Sequence, residues 1–559
     1  MSFFSDAFTI VFAFVLMLSV LIFVHELGHF LVARWCGVRV LKFCLGFGPP
    51  IGIGRWRLAW TRNGTEYAIA WFPLGGFVKM LGENPDEAED AEVRAHPSEA
   101  LGAKPLWQKL AIVFAGPAMN LMLPVVIFAV TLFIGMPRPA PVIGAVEAGS
   151  PAERAGLVPG DRLLAVADEP IAWWGDFEEL VRKHPGDALA LRYQRGGEPH
   201  EARFEITSRA ALDEFGKVRD MGWVGLGHRR LTAMVGVPNA DAPAHRAGLR
   251  SGDVIVSLDG KPVADWSGLA AAYAAASGPV RAEIDRGSEA PERLVLQLPG
   301  QGSLEALGVV PANVLVSTVE PGAPAARAGL ARGDLILSVD GQLAGSFLSF
   351  AETVRTSGGR PLELVVARGG KLEQVRVAPE LAPIDVGLGI EETRYRVGIT
   401  AEAATLPGAV ELDQARNPLV AVPRAVGMTI DVTHMFLRGL AKIATGEVSR
   451  KQVSGPIGIA QIAGNALQRG WETYLSTLVL ISINLGILNL LPIPILDGGQ
   501  AVLFLAEGVK RSPLSLRTRL VFQQIGLTVL MLLMGMAFWN DISRHWSKVV
   551  DWLRTGTGL

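Results

Sequence analysis

The sequence has very little cysteine and almost no net charge. Its 559 residues include only two cysteines, Cys36 and Cys44, which excludes a disulfide framework for the long region that follows them. Lysine and arginine total 52 against 54 acidic residues, and the net charge of -2 argues against a nucleic-acid partner. Half of the residues are hydrophobic, and the length is sufficient for several domains.

Long stretches without charge dominate the two ends of the chain. Four of them are long enough to cross a bilayer: 8–24 with a continuation to about 32, 110–134, 473–496 and 521–540. No Lys or Arg precedes the first stretch and no small-residue cleavage site follows it, so we expect a membrane anchor there and not a signal peptide. The sequence therefore predicts a polytopic α-helical membrane protein with four spans.

The distribution of positive charge predicts the orientation of these spans. Basic residues are concentrated in the segment after the first span and in the loop before the fourth: Arg34, Arg39, Lys42, Arg55, Arg57, Arg62, Lys510, Arg511, Arg517 and Arg519. By the positive-inside rule both segments are expected in the cytoplasm, with both termini and the long middle region outside. The first and third spans then run parallel, and their C-terminal ends lie at the same membrane face.

The end of the first span carries the sequence His25-Glu26-Leu27-Gly28-His29. Two histidines at i and i+4 lie on one face of a helix, at the spacing that a zinc ion needs. Glu26 is placed to activate a zinc-bound water. Ionisable residues at the end of a membrane helix are costly, which favours a functional role over the alternative of interfacial histidines at a helix end.

A second polar group follows the third span. Pro492 and Pro494 break the helix near its end, and Asp497 then lies in a turn beside two glycines. The parallel spans bring Asp497 to the depth of the two histidines. His25, His29 and Asp497 can hold one Zn²⁺ ion and leave its fourth position for water. The alternative is that Asp497 caps the following helix.

The middle region contains an internal repeat. Its copies cover 149–166, 242–260 and 322–341, each with a small-residue helix ending at Gly-Leu, a Gly-Asp step and an apolar strand. The three copies resemble PDZ domains in the permuted arrangement of bacterial proteases. That resemblance implies binding of peptide or protein C-termini by strand addition. Alternatively, one or more copies act only as spacers or steric gates, above all the first, which has Asp168-Glu169 where the others have Asp-Gly.

Taken together, these motifs resemble the site-2 protease family of intramembrane zinc metalloproteases, of the RseP type. The likeness covers nearly the whole chain and rests on five matched segments: His25-Glu26 with His29, Asp497, Asn489 with Pro492 and Pro494, Gly116 to Asn120, and the β-loop 67–80 with Gly75 and Gly76 at its turn. Two departures are a third PDZ-like copy where two are expected and Gln500 where a His usually follows the Leu-Asp-Gly-Gly sequence.

The resemblance implies peptide hydrolysis with Zn²⁺ as the single cofactor and Glu26 as the general base. It implies single-span membrane proteins as substrates, such as an anti-sigma factor or a signal-peptide remnant after a first external cut. It also implies a bacterial inner-membrane location, with the PDZ-like domains in the periplasm and the site near the cytoplasmic face. The rival interpretations are a non-catalytic membrane-anchored PDZ scaffold and a metal transporter.

Two supporting features keep alternative interpretations. The segment 67–80 is predicted to form a membrane-associated β-hairpin that holds substrate in extended form, or else an ordinary cytoplasmic hairpin. Asn489 is expected to steady the unwound substrate or the oxyanion, or to hydrogen-bond between helices. The segment 422–443 reads as an amphipathic interfacial helix, in which His434 is an interfacial histidine.

The predicted organisation combines these elements in one order. Its segments are span 1 (1–36), a cytoplasmic loop with the β-hairpin (37–107), span 2 (108–136), three α+β PDZ-like domains (137–221, 222–305 and 306–400), the amphipathic segment (401–470), span 3 (471–500), a cytoplasmic loop (501–518), span 4 (519–541) and a C-terminal tail (542–559).

Overall fold

The computed structural model describes residues 2–53, 56–83, 91–213, 217–287, 290–300, 302–385, 391–446, 455–512 and 514–556. These residues form two compact units. The membrane unit comprises 1–136, 385–392 and 414–559, and the middle unit comprises 137–384 and 393–413. Each unit has its own core, and the membrane unit contains every residue of the predicted metal site.

The membrane unit consists mainly of helices. Its helices are α1 (Ser2–Trp35), α2 (Ala91–Ala95), α3 (Leu106–Ile134), α11 (Pro418–Ala444), α12 (Pro456–Gln468), α13 (Trp471–Leu490), α14 (Asp497–Lys510) and α15 (Leu516–Gly556), and those of the middle unit are numbered between them. Among the described residues, four helical segments are long and apolar enough to cross a membrane: Ala7–Trp35, Leu106–Ile134, Trp471–Leu490 and Leu516–Ser543. The four predicted spans are therefore present as helices, which satisfy their own backbone hydrogen bonds in lipid.

The third span is shorter than predicted. Helix α13 ends at Leu490, and the six residues after it, including Pro492 and Pro494, leave the helix before α14 begins at Asp497. The helix therefore ends before the predicted segment boundary at 500, near the break predicted at the two prolines. Each proline lacks a backbone N–H for the helix ladder and disfavours helical geometry in the residue before it. The predicted loop 501–518 is also largely helical, since α14 continues to Lys510.

The segment before the third span contains two helices rather than one. Helix α11 packs its small residues Ala421 and Ala425 against Leu132 of α3. Helix α12 was not predicted as a separate element; its Ala463 and Ala466 pack against α1. Whether α11 lies in the membrane interface stays a prediction.

A small sheet follows the first span and corrects the predicted hairpin. Its strands are β1 (Val40–Pro50), β4 (Ala59–Arg62) and β5 (Thr65–Met80), and a separate pair is formed by β2 (Gly52–Ile53) and β3 (Trp56–Arg57). The two arms of the predicted hairpin, 67–72 and 77–80, do not pair with each other. Both pair with β1, so that Phe43 lies opposite Tyr67 on one side and Val78 on the other.

A true hairpin lies earlier in this sheet. Strands β4 and β5 pair with Arg62 opposite Thr65, and the two residues between them, Asn63 and Gly64, have positive φ angles of 51° and 76°. An Asn-Gly pair with this geometry is the favoured two-residue hairpin turn. The sequence therefore contained a turn signal, but at a different position from the glycines of 73–76.

The middle unit contains three modules with one shared topology, each with its own buried core. The elements of the first module are β6 (Met136–Pro139), β7 (Ala145–Val146), α4 (Pro151–Arg154), β8 (Arg162–Val166), β9 (Glu169–Pro170), α5 (Trp174–Lys183), β10 (Ala188–Arg195), β11 (Glu198–Glu205), β12 (Thr207–Leu212), β13 (Val218–Trp223) and β14 (Leu226–Gly227). Those of the second are β15 (Arg230–Leu231), β16 (Val235–Gly236), α6 (Pro243–Arg246), β17 (Val254–Leu258), β18 (Lys261–Pro262), α7 (Trp266–Ala274), β19 (Val280–Arg286), β20 (Glu292–Leu298), α8 (Leu304–Leu307) and β21 (Val310–Pro311). Those of the third are β22 (Val316–Val319), α9 (Pro324–Arg327), β23 (Leu335–Val339), β24 (Gln342–Leu343), α10 (Phe347–Thr356), β25 (Leu362–Arg368), β26 (Lys371–Val377), β27 (Glu380–Asp385), β28 (Glu391–Arg396), β29 (Ile399–Ala401), β30 (Thr405–Leu406) and β31 (Val410–Asp413).

Each module is built on a four-stranded sheet. The strand orders are β11-β10-β8-β9, β18-β17-β19-β20 and β24-β23-β25-β26, which are the same order written from opposite edges. The first core extends to Val224 and Leu226, and the second to Leu307 and Val309. The predicted boundaries at 221 and 305 therefore fall a few residues early, because the residues just after each boundary still belong to the core of the module before it.

One ion pair recurs in all three modules. The Asp of each Gly-Asp step is almost completely buried and accepts two hydrogen bonds from an Arg 33 or 34 residues later. The pairs are Asp161 with Arg195, Asp253 with Arg286, and Asp334 with Arg368. In each pair the same guanidinium also donates to the carbonyl of the glycine at the end of the short helix. The pairing with Asp334 raises the pKa of Arg368, so this cation stays charged and links the turn to the sheet.

We predict that Asp334→Asn destabilises the third module by about 2 kcal/mol, because an amide replaces the buried carboxylate that accepts two charge-assisted hydrogen bonds from Arg368. Glu373→Gln is the matched control. Glu373 accepts from the same Arg368 at 3.0 Å, but its side chain is 44% exposed, so its loss is expected to cost less than about 1 kcal/mol. Hydrogen exchange of the intact chain measures both. Similar protection of β23 and β25 in the two variants would contradict this role for Asp334.

Candidate metal centre

The two histidines lie on the face of α1 that packs against α3. Their Nε2 atoms are 3.2 Å apart, and both side chains are about nine-tenths buried. Gly28, between them, permits the close packing of these helices, since a Cβ at this position would lie 2.4 Å from the carbonyl oxygen of Ala115. The i, i+4 spacing thus places both imidazoles on one face of α1, and this face contacts α3.

The non-helical segment between α13 and α14 brings Asp497 to this pair. Its Oδ2 lies 3.2 Å from His25 Nε2, and its Oδ1 lies 3.5 Å from His29 Nε2. The two glycines that follow allow the turn to be tight: a Cβ at Gly498 would lie 2.3 Å from the carbonyl oxygen of Leu491, and one at Gly499 would lie 2.3 Å from that of Ile493. Asp497 is the first residue of α14, and the N-cap position is Leu496, without a side-chain cap hydrogen bond. The alternative that Asp497 caps this helix is therefore wrong.

The outer nitrogen of each imidazole has its own partner on α3. His29 Nδ1 lies 2.8 Å from the backbone oxygen of Ile112, which can only accept, so this nitrogen carries the proton. His29 Nε2 therefore presents a lone pair toward His25 and Asp497. His25 Nδ1 lies 3.2 Å from the Asn120 amide group, and Ser482 of α13 donates to the Asn120 backbone oxygen at 2.7 Å.

The donor set fits a zinc ion. Ligand atoms about 2.0–2.1 Å from a tetrahedral zinc stand about 3.3 Å apart. The two Nε2 atoms are 3.2 Å apart, and each has a different oxygen of the Asp497 carboxylate at 3.2 or 3.5 Å. Within the described residues, Asn120 is fully buried and its Oδ1 has no hydrogen-bond partner. A half-turn of the Asn120 amide lets Oδ1 accept a hydrogen bond from His25 Nδ1–H. The lone pair of His25 Nε2 is then free for a metal, like that of His29 Nε2. Asp497 Oδ2 likewise lacks a hydrogen-bond donor, as expected of a metal ligand.

The two imidazole rings need the space that Gly116 leaves by having no side chain. A Cβ at this position would lie 2.3 Å from His29 Nε2 and 2.8 Å from His25 Cε1. The Gly116 and Asn120 positions therefore act differently: the first leaves room for the two rings, and the second orients one of them.

Glu26 lies on α1 next to the histidines and is half-buried. Gly76, on the second arm of β5, approaches it closely: a Cβ there would lie 3.1 Å from Glu26 Cγ and 2.7 Å from Ile22 Cγ2. Gly75 packs instead against Phe47: a Cβ at Gly75 would lie 2.0 Å from Cε2 of the Phe47 ring. The β5 arm thus borders the catalytic candidate directly.

The remaining predicted residues flank the site. Asn489 is half-buried in the last turn of α13, and Pro492 and Pro494 form the segment that leads to Asp497. Sequence reasoning missed the carbonyl of Ile112 and the hydroxyl of Ser482. The carbonyl has no side-chain signal, and a serine in an apolar span is at most a weak one.

Comparison with known proteins identifies the family of the chain. The family model described as Peptidase family M50 matches residues 13–533. The chain is a member of peptidase family M50. The regulator of sigma-E protease RseP of Escherichia coli strain K12 is 31% identical over 533 residues, which cover 95% of this chain and 98% of that protein. Protease RseP of Yersinia pestis is 32% identical over 536 residues, with the same coverage.

Other comparisons concern the cofactor and the middle unit. A relative from Neisseria meningitidis that carries the name of a zinc metalloprotease is 28% identical over 543 residues, covering 95% of this chain and 98% of that protein. The solved PDZ domain of an SdrC-like protein of Listeria monocytogenes is 19% identical, covers 16% of this chain and 85% of that domain, and has a TM-score of 0.13. That score is too low to bear on the fold.

Membership of family M50 decides the activity. This M50 protein is an intramembrane zinc metalloprotease, and Zn²⁺ is its cofactor. The prediction of a membrane-embedded protease is confirmed, and the alternative of a non-catalytic PDZ scaffold is not supported.

We predict that Gly116→Ala lowers the zinc affinity of this M50 protein by about tenfold or more, because the added methyl group displaces both imidazoles. Gly535→Ala is the matched control, since a Cβ at this helical position in the fourth span meets nothing within 4 Å. Zinc per chain after dialysis against a graded chelator series measures the effect. Equal retention in the two variants would show that Gly116 does not shape the site.

Proposed function

We propose that His25, His29 and Asp497 hold the zinc ion and that Glu26 is the general base. The single observation that supports this is the convergence of His25, His29 and Asp497 beside Glu26, with one ligand atom from each of the three residues within 4.8 Å of the others. A bound zinc ion supplies Lewis-acid activation of water and of the scissile carbonyl. Glu26 takes the proton from the attacking water and delivers it to the leaving amine, so that one carboxylate serves both steps.

The protein's own side chains keep this arrangement in register. The Ile112 carbonyl holds the proton on the outer nitrogen of His29, and the Asn120 amide orients His25. Both contacts come from α3, so rotation of α3 against α1 would misdirect both imidazoles at once. Asn489 lies near the end of α13 and is proposed to steady the opened substrate chain.

The substrates are proposed to be single-span membrane proteins that have already lost their external part. A helical substrate hides its carbonyls in hydrogen bonds, so it must be unwound before water attacks. The 76–80 arm of β5 is suited to hold it: one edge pairs with β1, and within the described residues no strand pairs with the other. An extended segment added there would pass next to Glu26.

The three modules of the middle unit are proposed to be PDZ domains outside the membrane, in the periplasm. In this orientation the metal centre lies near the cytoplasmic face of the bacterial inner membrane. The basic loops on that side support the assignment. The modules would admit trimmed substrates, exclude bulky intact ones and bind exposed C-termini.

The direct test compares wild type with Glu26→Gln on a single-span model substrate with a short external end. Loss of the base is expected to lower cleavage by at least about a hundredfold while zinc per chain stays unchanged. Glu99→Gln is the control, a carboxylate 45% exposed in the loop before α3, and it should leave cleavage unchanged. Wild-type rates in Glu26→Gln would rule out this role for Glu26.

A second variant tests the β5 arm. Gly76→Ala is expected to lower cleavage by about tenfold or more, because the methyl group pushes the arm away from Ile22 and Glu26. Zinc content should not change, since no metal ligand contacts Gly76. Full cleavage with normal zinc would argue against a substrate-positioning role for this arm.

A further inference from the structure

A cavity that contains none of the proposed metal ligands lies in the membrane unit, where two candidate spans begin. It has a volume of about 720 Å³ and is lined by the loop after β5, the first turn of α3 and the C-terminal half of α14. The candidate spans start at Leu106 and Leu516, so we expect the cavity at the boundary between membrane and water. Gly508 of α14 closes one side of it, since a Cβ there would lie 2.5 Å from Leu106.

Among the described residues that line the cavity, three cations, Lys109, Arg511 and Arg519, outnumber two carboxylates. Arg519 pairs with Glu507, and its Nε has no hydrogen-bond partner within the described residues. Lys109 and Arg511 also line the cavity, and neither has a carboxylate within ion-pair distance in the part of the chain that the structure describes. The remaining acidic lining residue, Glu83, accepts a backbone hydrogen bond from Met80 at 3.3 Å.

Two further features favour a particular class of anion. Helix α3 begins at Leu106 without a side-chain cap, so the partial positive charge of its N-terminus faces this region unneutralised. The other walls are apolar, with Leu101, Leu106 and Phe504, and Lys109 lies 5.7 Å from the centre of the Phe504 ring. A basic pocket with apolar walls at the ends of spans suits a phosphate group carried on a lipid.

We propose that this cavity binds the phosphate-bearing headgroup of an anionic phospholipid between Lys109, Arg511 and Arg519. The shared chemistry is a phosphate group, and the position at the membrane boundary favours lipid over a soluble phosphate. A headgroup there connects α3, which carries Gly116 and Asn120, with α14, which begins at Asp497. The lipid thus braces the two helices that support the metal centre. This inference does not depend on the proposed catalytic roles.

The test uses the purified full-length protein in detergent, titrated with phosphatidylglycerol or phosphatidylcholine and read by native mass spectrometry. The variant is Lys109→Gln with Arg511→Gln. The matched control is Lys510→Gln with Arg517→Gln. These two exposed cations are close in sequence to Arg511 and Arg519 but do not line the cavity. Thermal unfolding of both variants establishes that they are folded, and inorganic phosphate and glycerol 3-phosphate serve as competitors.

The expected result is a preference of wild type for phosphatidylglycerol, weakened about tenfold or more in the cavity variant and unchanged in the control. No preference in wild type would overturn the proposed anionic-lipid site. Equal weakening in both variants would overturn it in favour of diffuse surface attraction. Displacement of the lipid by millimolar inorganic phosphate or glycerol 3-phosphate would overturn the lipid assignment and identify a soluble phosphate as the ligand.

Discussion

The architecture of the membrane unit depends on one interaction, the burial of the Asp497 carboxylate against two imidazoles. A carboxylate in a largely apolar environment is costly unless it is paired, and neutral imidazoles alone offer little compensation. A divalent cation bound by the three groups, as proposed, would remove that cost. The observed separations of 3.2 to 3.5 Å fit this explanation, as does the lack of any hydrogen-bond donor for Asp497 Oδ2 within the described residues.

The surrounding packing follows from the need to bring these atoms together. Gly28 allows α1 to approach the backbone of α3, and Gly116 leaves room for the two imidazole rings between these helices. Gly498 and Gly499 allow the chain to turn back sharply before α14. None of these four glycines has the positive φ that would explain it by conformation. Their common property is the missing Cβ, so they serve close approach and not turn geometry.

The sequence was most informative where the chemistry is local. The i, i+4 pair of His25 and His29 defines a helix face whatever the surrounding fold. The distribution of basic residues predicted parallel first and third spans, and from this we expected Asp497 at the depth of the histidines. Long-range strand pairing could not be predicted: β1 lies between the two arms of β5, and no local pattern specifies that arrangement. Some signals were present and unused, such as Asn63-Gly64 and the Arg that follows each Gly-Asp step by about 34 residues. Backbone groups such as the Ile112 carbonyl leave no signal in the sequence.

The most direct test of the central claim is X-ray absorption at the zinc edge of purified Glu26→Gln protein. The account predicts a first shell of nitrogen and oxygen alone, at about 2.0–2.2 Å, with two imidazoles among the ligands. Replacement of Asp497 by Ala should then remove the ion or change the shell. A sulfur ligand at about 2.3 Å would instead implicate Cys36 or Cys44 and contradict the His25, His29 and Asp497 site.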